Sequence, residues 1–207
     1  MTRHRIANNL LICIVCLALN VLVALLARVY KSPFFFDTIF TAAATFIGGL
    51  LPGLIVAVLF NPIMTFVLCG IYGMEISVYD FFYAFCGIAI VLITWFFGRN
   101  KSDFTASRTL TFIYLMVIAI ASALASAFIA SLMDAFIRPL FVKNLGFSPI
   151  DNLSTSFESL NLGSFFNYFL PRLPVTFVDR IICTFVSYGI YRGLEFIQLK
   201  RQSKHSL

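Results

Sequence analysis

Residues 10–27, LLICIVCLALNVLVALLA, form a continuous stretch of 18 residues without a charged side chain. A helix that crosses the hydrocarbon core of a bilayer needs about 20 mainly apolar residues. The stretch is longer than the roughly 7–15 apolar residues of a secretory signal peptide, and no convincing cleavage site follows it. We therefore expect a retained transmembrane helix at this position.

The rest of the chain has the same character. Of its 207 residues, 60% are hydrophobic and 12% are charged, whereas an ordinary soluble domain carries roughly 25% charged residues. This composition excludes a soluble globular protein and also a disordered one. We predict an all-α integral membrane protein that forms a single membrane domain over residues 1–207. Its six transmembrane helices are expected at about 6–29, 34–51, 53–71, 76–97, 110–137 and 173–199.

Basic residues are divided unequally between the two ends of these helices. The side that contains both termini carries nine Lys or Arg and two acidic residues, whereas the other side carries six basic and seven acidic residues. Short loops rich in Lys and Arg stay in the cytoplasm. We therefore predict that both termini are cytoplasmic. This topology also accounts for the net charge of +6, so we expect no nucleic-acid partner.

The predicted outer loop 138–172 is unusually long for a connection within a compact domain. Aromatic residues are spread through it, namely Phe147, Phe157, Phe165, Phe166, Tyr168 and Phe169. We expect such a loop to fold back over the outer mouth of the bundle or to lie in the membrane interface as an aromatic belt. The two arrangements are compatible with each other.

Small residues recur every four positions along the fifth predicted helix, at Ala119, Ala123, Ala127 and Ser131. Small side chains at this spacing let two helix backbones approach closely in lipid. The pattern predicts either packing inside the bundle or a docking face for another subunit.

Several kinds of catalytic and metal chemistry lack their residues. The two histidines, His4 and His205, are in the tails, which removes histidine-based metal sites and Ser-His or Cys-His dyads. The five cysteines lie in apolar stretches, where we interpret even the C-x-x-C pair Cys13 and Cys16 as packing residues. There is no G-x-x-x-x-G-K-[ST] phosphate-binding loop. We expect no enzyme, no cofactor and no metal site.

Polar side chains converge instead at the outer ends of four predicted helices. At the end of the fifth, Asp134 and Arg138 lie one turn apart and are able to pair. A partly apolar cup with a few convergent polar groups is typical of small-molecule sites. Buried amides such as Asn20 and Asn61 face a bundle interior, either as interhelical hydrogen bonds or, for Asn61, as the floor of a cavity. We predict that the cup and its lid consist of Asp37, Asn61, Tyr79, Tyr83, Asp134, Arg138, Asn161, Tyr168, Arg172, Asp179 and Arg180.

Two short motifs resemble a known family. Residues 36–41, FDTIFT, followed by Gly49, Gly53 and Asn61, resemble the second and third helices of the substrate-binding S components of energy-coupling factor (ECF) transporters. Residues 173–180, LPVTFVDR, look like that family's P-D-K start of helix six, with Arg180 at the lysine position. The family's A-x-x-x-A docking motif is replaced in helix one, so the resemblance does not identify a docking surface.

The resemblance implies a substrate-capture subunit of an ATP-driven importer in a bacterial cell membrane. Such a subunit would bind a vitamin or related micronutrient on the extracytoplasmic side. It would work with a membrane coupling subunit and two cytoplasmic ATPases. From the composition of the cup, we expect aromatic side chains to stack on a flat ring while Arg and Asp groups hold its polar edge. The alternatives are a membrane sensory module for a small ligand and a membrane enzyme acting on lipids, and the missing acid–base and metal residues disfavour the enzyme.

Overall fold

A computed structural model describes residues 3–73, 76–100, 104–141 and 162–205, and its elements are all helical. The six main helices are α1 (Arg3–Val29), α2 (Ile39–Gly48), α3 (Leu50–Tyr72), α4 (Ala84–Gly98), α5 (Arg108–Leu132) and α6 (Ser164–His205). A 3₁₀ helix (Val78–Tyr83) leads into α4. The end of α5 continues through a π-helical turn (Met133–Ile137) into one further α-helical turn (Arg138–Phe141).

Five of the described helical segments are long and apolar enough to cross a membrane. Large apolar side chains, such as Leu11 and Ile14 on α1, are exposed on the outside of the bundle, where lipid would cover them. The prediction of an all-α protein with several membrane-compatible helices is therefore confirmed. The second predicted span, 34–51, is not present at full length, because α2 has ten residues and a length of about 15 Å.

The second helix begins later than predicted, at Ile39 and not near residue 34. The residues just before it are held in a non-helical conformation by a contact with α6. The backbone N–H groups of Phe35 and Phe36 donate to the carboxylate of Asp179, on α6, at 3.0 Å each. Phe36 also has a φ of 51°, a left-handed conformation that a helix does not contain. Hydrophobicity alone could not reveal this contact between residues more than 140 positions apart.

The last helix begins earlier than predicted, at Ser164 and not near residue 173. This stretch contains Pro171 and Pro174, and proline lacks the backbone donor that a helix interior needs. Long membrane helices nevertheless tolerate proline, and Arg172 is neutralised by a carboxylate on α5. The final part of the predicted outer loop is therefore helical, as are residues 138–141, and residues 142–161 lie outside the described part of the chain.

The aromatic residues at the end of that predicted loop lie on the first turns of α6. The rings of Phe165 and Phe169 stack at 5.3 Å, and Phe165 also meets Phe128 of α5 at 5.6 Å. These rings therefore extend the packing of α6 against α5.

The small residues of α5 are buried inside the bundle. Ala119, Ala127 and Ser131 have no exposed surface, and Ala123 is almost as inaccessible. The most extensive helix pairing in the described structure is that of α5 with α6. Packing within the bundle, the first of the two predicted roles, is confirmed for these positions.

Successive helices run in alternating directions, so that the ends of helices distant in the sequence meet at each end of the bundle. The start of α2, the 3₁₀ helix before α4, the end of α5 and the first half of α6 meet at one end of the bundle. At the opposite end, Phe46 of α2 packs with Phe104, Tyr188 and Tyr191. The first end is polar and the second is aromatic.

Candidate functional site

The π-helical turn at the end of α5 places an acidic side chain in the protein interior. Asp134 lies in this turn and is 2% exposed. A π-helical turn adds a residue to the helical repeat and changes the direction of the side chains that follow, and such turns are frequent at functional sites. A carboxylate this deeply buried needs a full set of donors, because an unpaired buried charge is costly.

Four side chains surround the carboxylate of Asp134. The hydroxyl groups of Tyr79 and Tyr83 donate to Oδ1 at 2.6 and 2.7 Å. The guanidinium of Arg172 donates to Oδ2 at 2.5 Å. Arg138 is one helical turn away, with its Nη1 at 3.7 Å from Oδ1. The predicted pairing with Arg138 is present, but the closest basic partner is Arg172 on the next helix.

A second buried carboxylate belongs to Asp179 of α6, which has no exposed surface. Its Oδ1 accepts the backbone N–H groups of Phe35 and Phe36, and its Oδ2 lies 3.5 Å from Nη1 of Arg180. Asp179 therefore fixes the segment that precedes α2 against α6.

Arg180 links this segment to the start of α2. Its Nη1 donates to the hydroxyl oxygen of Thr38 and lies 3.5 Å from Oδ1 of Asp37. Burial raises the pKa of Asp37, an effect that the attraction of the Arg180 guanidinium only partly offsets. Asp37, Asp179 and Arg180 thus form a compact group of charges in which both carboxylates face one guanidinium.

The two groups of charges belong to one region of the bundle. Arg172, Thr176 and Arg180 follow one another at four-residue intervals and so share a face of α6. We call this region the polar network, which comprises Asp37, Thr38, Tyr79, Tyr83, Asp134, Arg138, Arg172, Thr176, Asp179 and Arg180.

Some donors of the polar network have no partner, although its carboxylates are well bound. Within the described part of the chain, seven buried atoms of α5 and α6 lack a hydrogen-bond partner, namely Ser122 Oγ, Ser131 Oγ, Asn167 Oδ1, Arg172 Nε, Arg172 Nη1, Thr176 Oγ1 and Arg180 Nε. The four atoms of Arg172, Thr176 and Arg180 belong to the polar network. A buried polar group without a partner costs roughly 1–3 kcal/mol, and more if it is charged. The network therefore contains buried donors that have no acceptor among the residues that the structure describes.

Most of the predicted site residues belong to the polar network, and the other three are Asn61, Tyr168 and Asn161. Asn61 lies in the middle of α3, where its backbone carbonyl accepts the hydroxyl of Thr65 at 3.0 Å. Tyr168 is half-buried on α6, one turn before Arg172. Asn161 lies outside the described residues.

The structure adds residues that the sequence did not place in the site. Thr38 and Thr176 belong to the polar network. The signal available in the sequence was their position, since Thr38 follows Asp37 and Thr176 lies midway between two arginines. Asn20 forms an interhelical hydrogen bond, as predicted. Its side chain donates to Thr41 Oγ1 at 2.7 Å and accepts the backbone N–H of Phe40 at 2.9 Å, which holds α1 against the start of α2.

A cavity of about 190 Å³ lies near the opposite ends of α2 and α4. It is lined by Thr45, Phe46, Ile47, Gly49, Thr94, Trp95, Gly98 and Arg99. It is therefore separate from the polar network, which lies at the beginnings of the same two helices.

No protein-family model, no curated protein and no solved structure matches this chain.

Proposed function

We propose that this protein is the substrate-capture subunit of an ATP-driven importer of the energy-coupling factor type. It would bind a vitamin or related small solute at the end of the bundle that carries the polar network. The observation that supports this proposal best is the convergence of two buried acids, the half-buried Asp37 and two buried arginines at one end of an otherwise apolar bundle. Ionisable groups among membrane helices are expensive, and they commonly mark a substrate or ion site.

The proposed orientation places the polar network on the extracytoplasmic side of a bacterial cell membrane. The end of the bundle opposite to it carries Arg99, Arg108 and the basic residues of the two tails. Such residues favour the cytoplasm. Both termini would then be cytoplasmic, and a solute would reach the network from outside the cell.

The proposed solute has a flat ring and at least one polar edge. Two tyrosine rings of the network, those of Tyr79 and Tyr83, meet edge to face at 5.5 Å. Their hydroxyl groups are held by Asp134, so the rings have a defined orientation. A ring of the solute could stack beside them while the guanidinium groups hold its polar edge.

Energy for transport would come from partners. The sequence has no phosphate-binding loop of the Walker type, so this chain has no such motif with which to hydrolyse ATP. We propose that a membrane coupling subunit and two cytoplasmic ATPases act with it. The chain itself would bind the solute and would not act as an enzyme.

Binding can be tested on the purified full chain in phosphatidylcholine nanodiscs. A panel of vitamins and their precursors is screened by the shift in the unfolding temperature, and dissociation constants are then measured for the solutes that stabilise the protein. Arg180→Gln should weaken binding of such a solute at least tenfold, because a charged hydrogen bond is lost. Arg192→Gln is the matched control, since Arg192 lies on the same helix but is exposed. If no solute stabilises the wild-type chain, capture of such a solute is refuted.

The role of partners can be tested by measuring uptake of a bound solute into cells that express the chain with its candidate ATPases. Uptake should stop when the ATPases carry an inactivating substitution in their phosphate-binding loop. Continued uptake without any nucleotide-hydrolysing partner would show that this chain is not part of an ATP-driven importer.

The orientation can be tested by cysteine labelling in intact cells with a membrane-impermeant maleimide. Ser164 and Ala106 are both exposed, and they lie at opposite ends of the bundle. We expect labelling of Ser164→Cys and no labelling of Ala106→Cys until the membrane is permeabilised. Four of the five native cysteines are buried and the fifth is half-buried, which keeps background labelling low. The reverse pattern would place the polar network in the cytoplasm.

A further inference from the structure

The unpartnered atoms of the polar network are of one chemical kind. Three of the four are N–H groups of Arg172 and Arg180, which can only donate hydrogen bonds. The fourth, Thr176 Oγ1, is a hydroxyl group that can donate as well as accept. What the network lacks is therefore an acceptor.

The acids of the network do not serve these donors, because none of their oxygens is hydrogen-bonded to the unpartnered atoms. Asp134 accepts from two tyrosines and from Arg172. Asp179 accepts two backbone N–H groups and faces Arg180. The free donors of the guanidinium groups remain after these bonds are counted.

The free donors are also arranged along one line. Thr176 lies one turn from Arg172 and one turn from Arg180 on the same face of α6, which is about 6 Å of helical rise in each direction. Ser131 is on the facing helix α5, one turn before Asp134. Arg172, Thr176 and Arg180 are each more than nine-tenths buried, and Ser131 has no exposed surface. A small group placed beside Thr176 would be within reach of both flexible arginine side chains.

We propose that the solute carries an oxyanion, a carboxylate or a phosphate, which accepts hydrogen bonds from Arg172, Arg180 and Thr176. This inference rests on the proposed function, since it names the chemical class of the captured solute. Guanidinium groups bind such oxyanions through charge-assisted hydrogen bonds, which are the strongest kind available to a protein side chain. Asp134 and Asp179 hold the two arginines in position, and the solute completes their hydrogen bonding. An uncharged solute would leave these donors poorly matched.

The test uses three probes with the same aromatic ring, namely benzoate, its uncharged analogue benzamide, and phenyl phosphate. Each is added to the full chain in nanodiscs of phosphatidylcholine alone, and both dissociation constants and unfolding temperatures are measured. We expect benzoate or phenyl phosphate to bind at least tenfold more tightly than benzamide, and inorganic phosphate to compete with the acid that binds. The comparison of the two acids distinguishes a carboxylate site from a phosphate site.

Variants test whether the acid binds to these residues. Arg172→Gln and Arg180→Gln should each weaken acid binding roughly 10- to 100-fold, since each removes a charged donor, and should leave benzamide binding unchanged. Thr176→Val should weaken acid binding severalfold, whereas Thr184→Val, a buried threonine one turn beyond Arg180, should have no effect. Competition by inorganic phosphate requires no variant, so the test stands even if an arginine variant fails to fold.

The outcomes separate this inference from the proposed function. If uncharged solutes bind in an Arg180-dependent manner and acids bind no more tightly, the oxyanion inference is wrong and solute capture stands. If neither charged nor uncharged organic solutes bind, both fail. If only nanodiscs that contain phosphatidylglycerol stabilise the protein, the anion is a lipid headgroup, and the oxyanion of a captured solute is refuted.

Discussion

The buried carboxylate of Asp134 provides the sharpest prediction about stability, which concerns Asp134→Asn. The substitution preserves the shape of the side chain and leaves an oxygen that can still accept from Tyr79 and Tyr83. It removes the negative charge that Arg172 contacts at 2.5 Å. It also places an amide NH₂, a donor, near a guanidinium that has donors only. The expected effect is a lower free energy of unfolding.

The size of this effect follows from two limits. Single hydrogen bonds between membrane helices contribute about 0.6 kcal/mol on average and about 1.7 kcal/mol at most. Removing one partner of a buried ion pair costs about 3–5 kcal/mol in soluble proteins, because the other charge stays buried. The side chains of Asp134 and Arg172 are 1% and 7% exposed, so little water can replace the lost partner. We expect Asp134→Asn to lower the free energy of unfolding by roughly 2–4 kcal/mol.

The assay is reversible unfolding in lipid bicelles by steric trapping, with Asp80→Asn as the matched control. Asp80 carries the same side chain in the 3₁₀ helix beside Tyr79 and is half-buried, but forms none of the bonds of Asp134. Its substitution should cost less than about 1 kcal/mol, as for most sites outside a buried network. The double variant Asp134→Leu with Arg172→Met should be less destabilised than the sum of the two single variants, because removing both charges leaves no unpaired ion. Equal effects of the two asparagine variants, or strict additivity in the double variant, would refute the reasoning.

Three further predictions concern packing, hydrogen bonding and pH. Gly53→Ala should destabilise the protein by about 1–3 kcal/mol, because the added Cβ would lie 2.2 Å from Thr45 Oγ1. The control is Gly70→Ala on the same helix, whose added Cβ meets nothing within 4 Å and which should be neutral or stabilising. Equal unfolding free energies for the two variants would contradict the close approach of α2 and α3. Asn20→Leu should cost about 1–3 kcal/mol through the loss of its two bonds to α2, measured by the same unfolding assay, and an unchanged stability would show that these bonds do not hold α1 in place. Because burial raises the pKa of Asp37, the folded protein holds the proton of this carboxyl at a higher pH than the unfolded chain does. Ionisation of Asp37 therefore reduces stability as the pH rises from about 4 through the raised pKa. Unfolding temperatures measured across this range should fall less steeply in Asp37→Asn than in the wild type, and parallel curves for the two proteins would exclude this assignment.

The membrane-compatible helices could be predicted from sequence because each depends on local composition. A stretch of apolar residues without charge has no favourable place in water, and its backbone can satisfy its hydrogen bonds in lipid only as a helix. The first and third predicted helices agree with α1 and α3 to within a few residues. The fifth predicted helix, 110–137, agrees in the same way with α5 and its π-helical turn.

The two helix starts that differed from prediction depend on interactions between distant residues. Asp179 binds the backbone N–H groups before α2 and delays its start to Ile39. Asp134 neutralises Arg172, and α6 extends through that residue and the two neighbouring prolines. In both cases a charged residue that resembled a helix boundary is a partner inside the bundle.

The candidate site was predictable in part. Charged and tyrosine residues at the ends of helices are visible in a sequence, since they interrupt apolar stretches, and most of those predicted lie in the polar network. Their partners were not visible. The sequence suggested that Asp134 pairs with Arg138, four residues away, but Arg172 lies closer. Which arginine is nearer depends on the packing of α5 against α6.

Composition and charge order alone determined that this chain is helical, that it is suited to a bilayer and that its polar groups cluster near particular helix ends. Those properties depend on the transfer of side chains between water and hydrocarbon, which is nearly independent of neighbours. The tertiary structure alone decided which donors serve each buried carboxylate and which guanidinium N–H groups remain free. Hydrogen bonds require distances near 3 Å and suitable angles, and for residues 38 to 144 positions apart only the packing of the helices sets these.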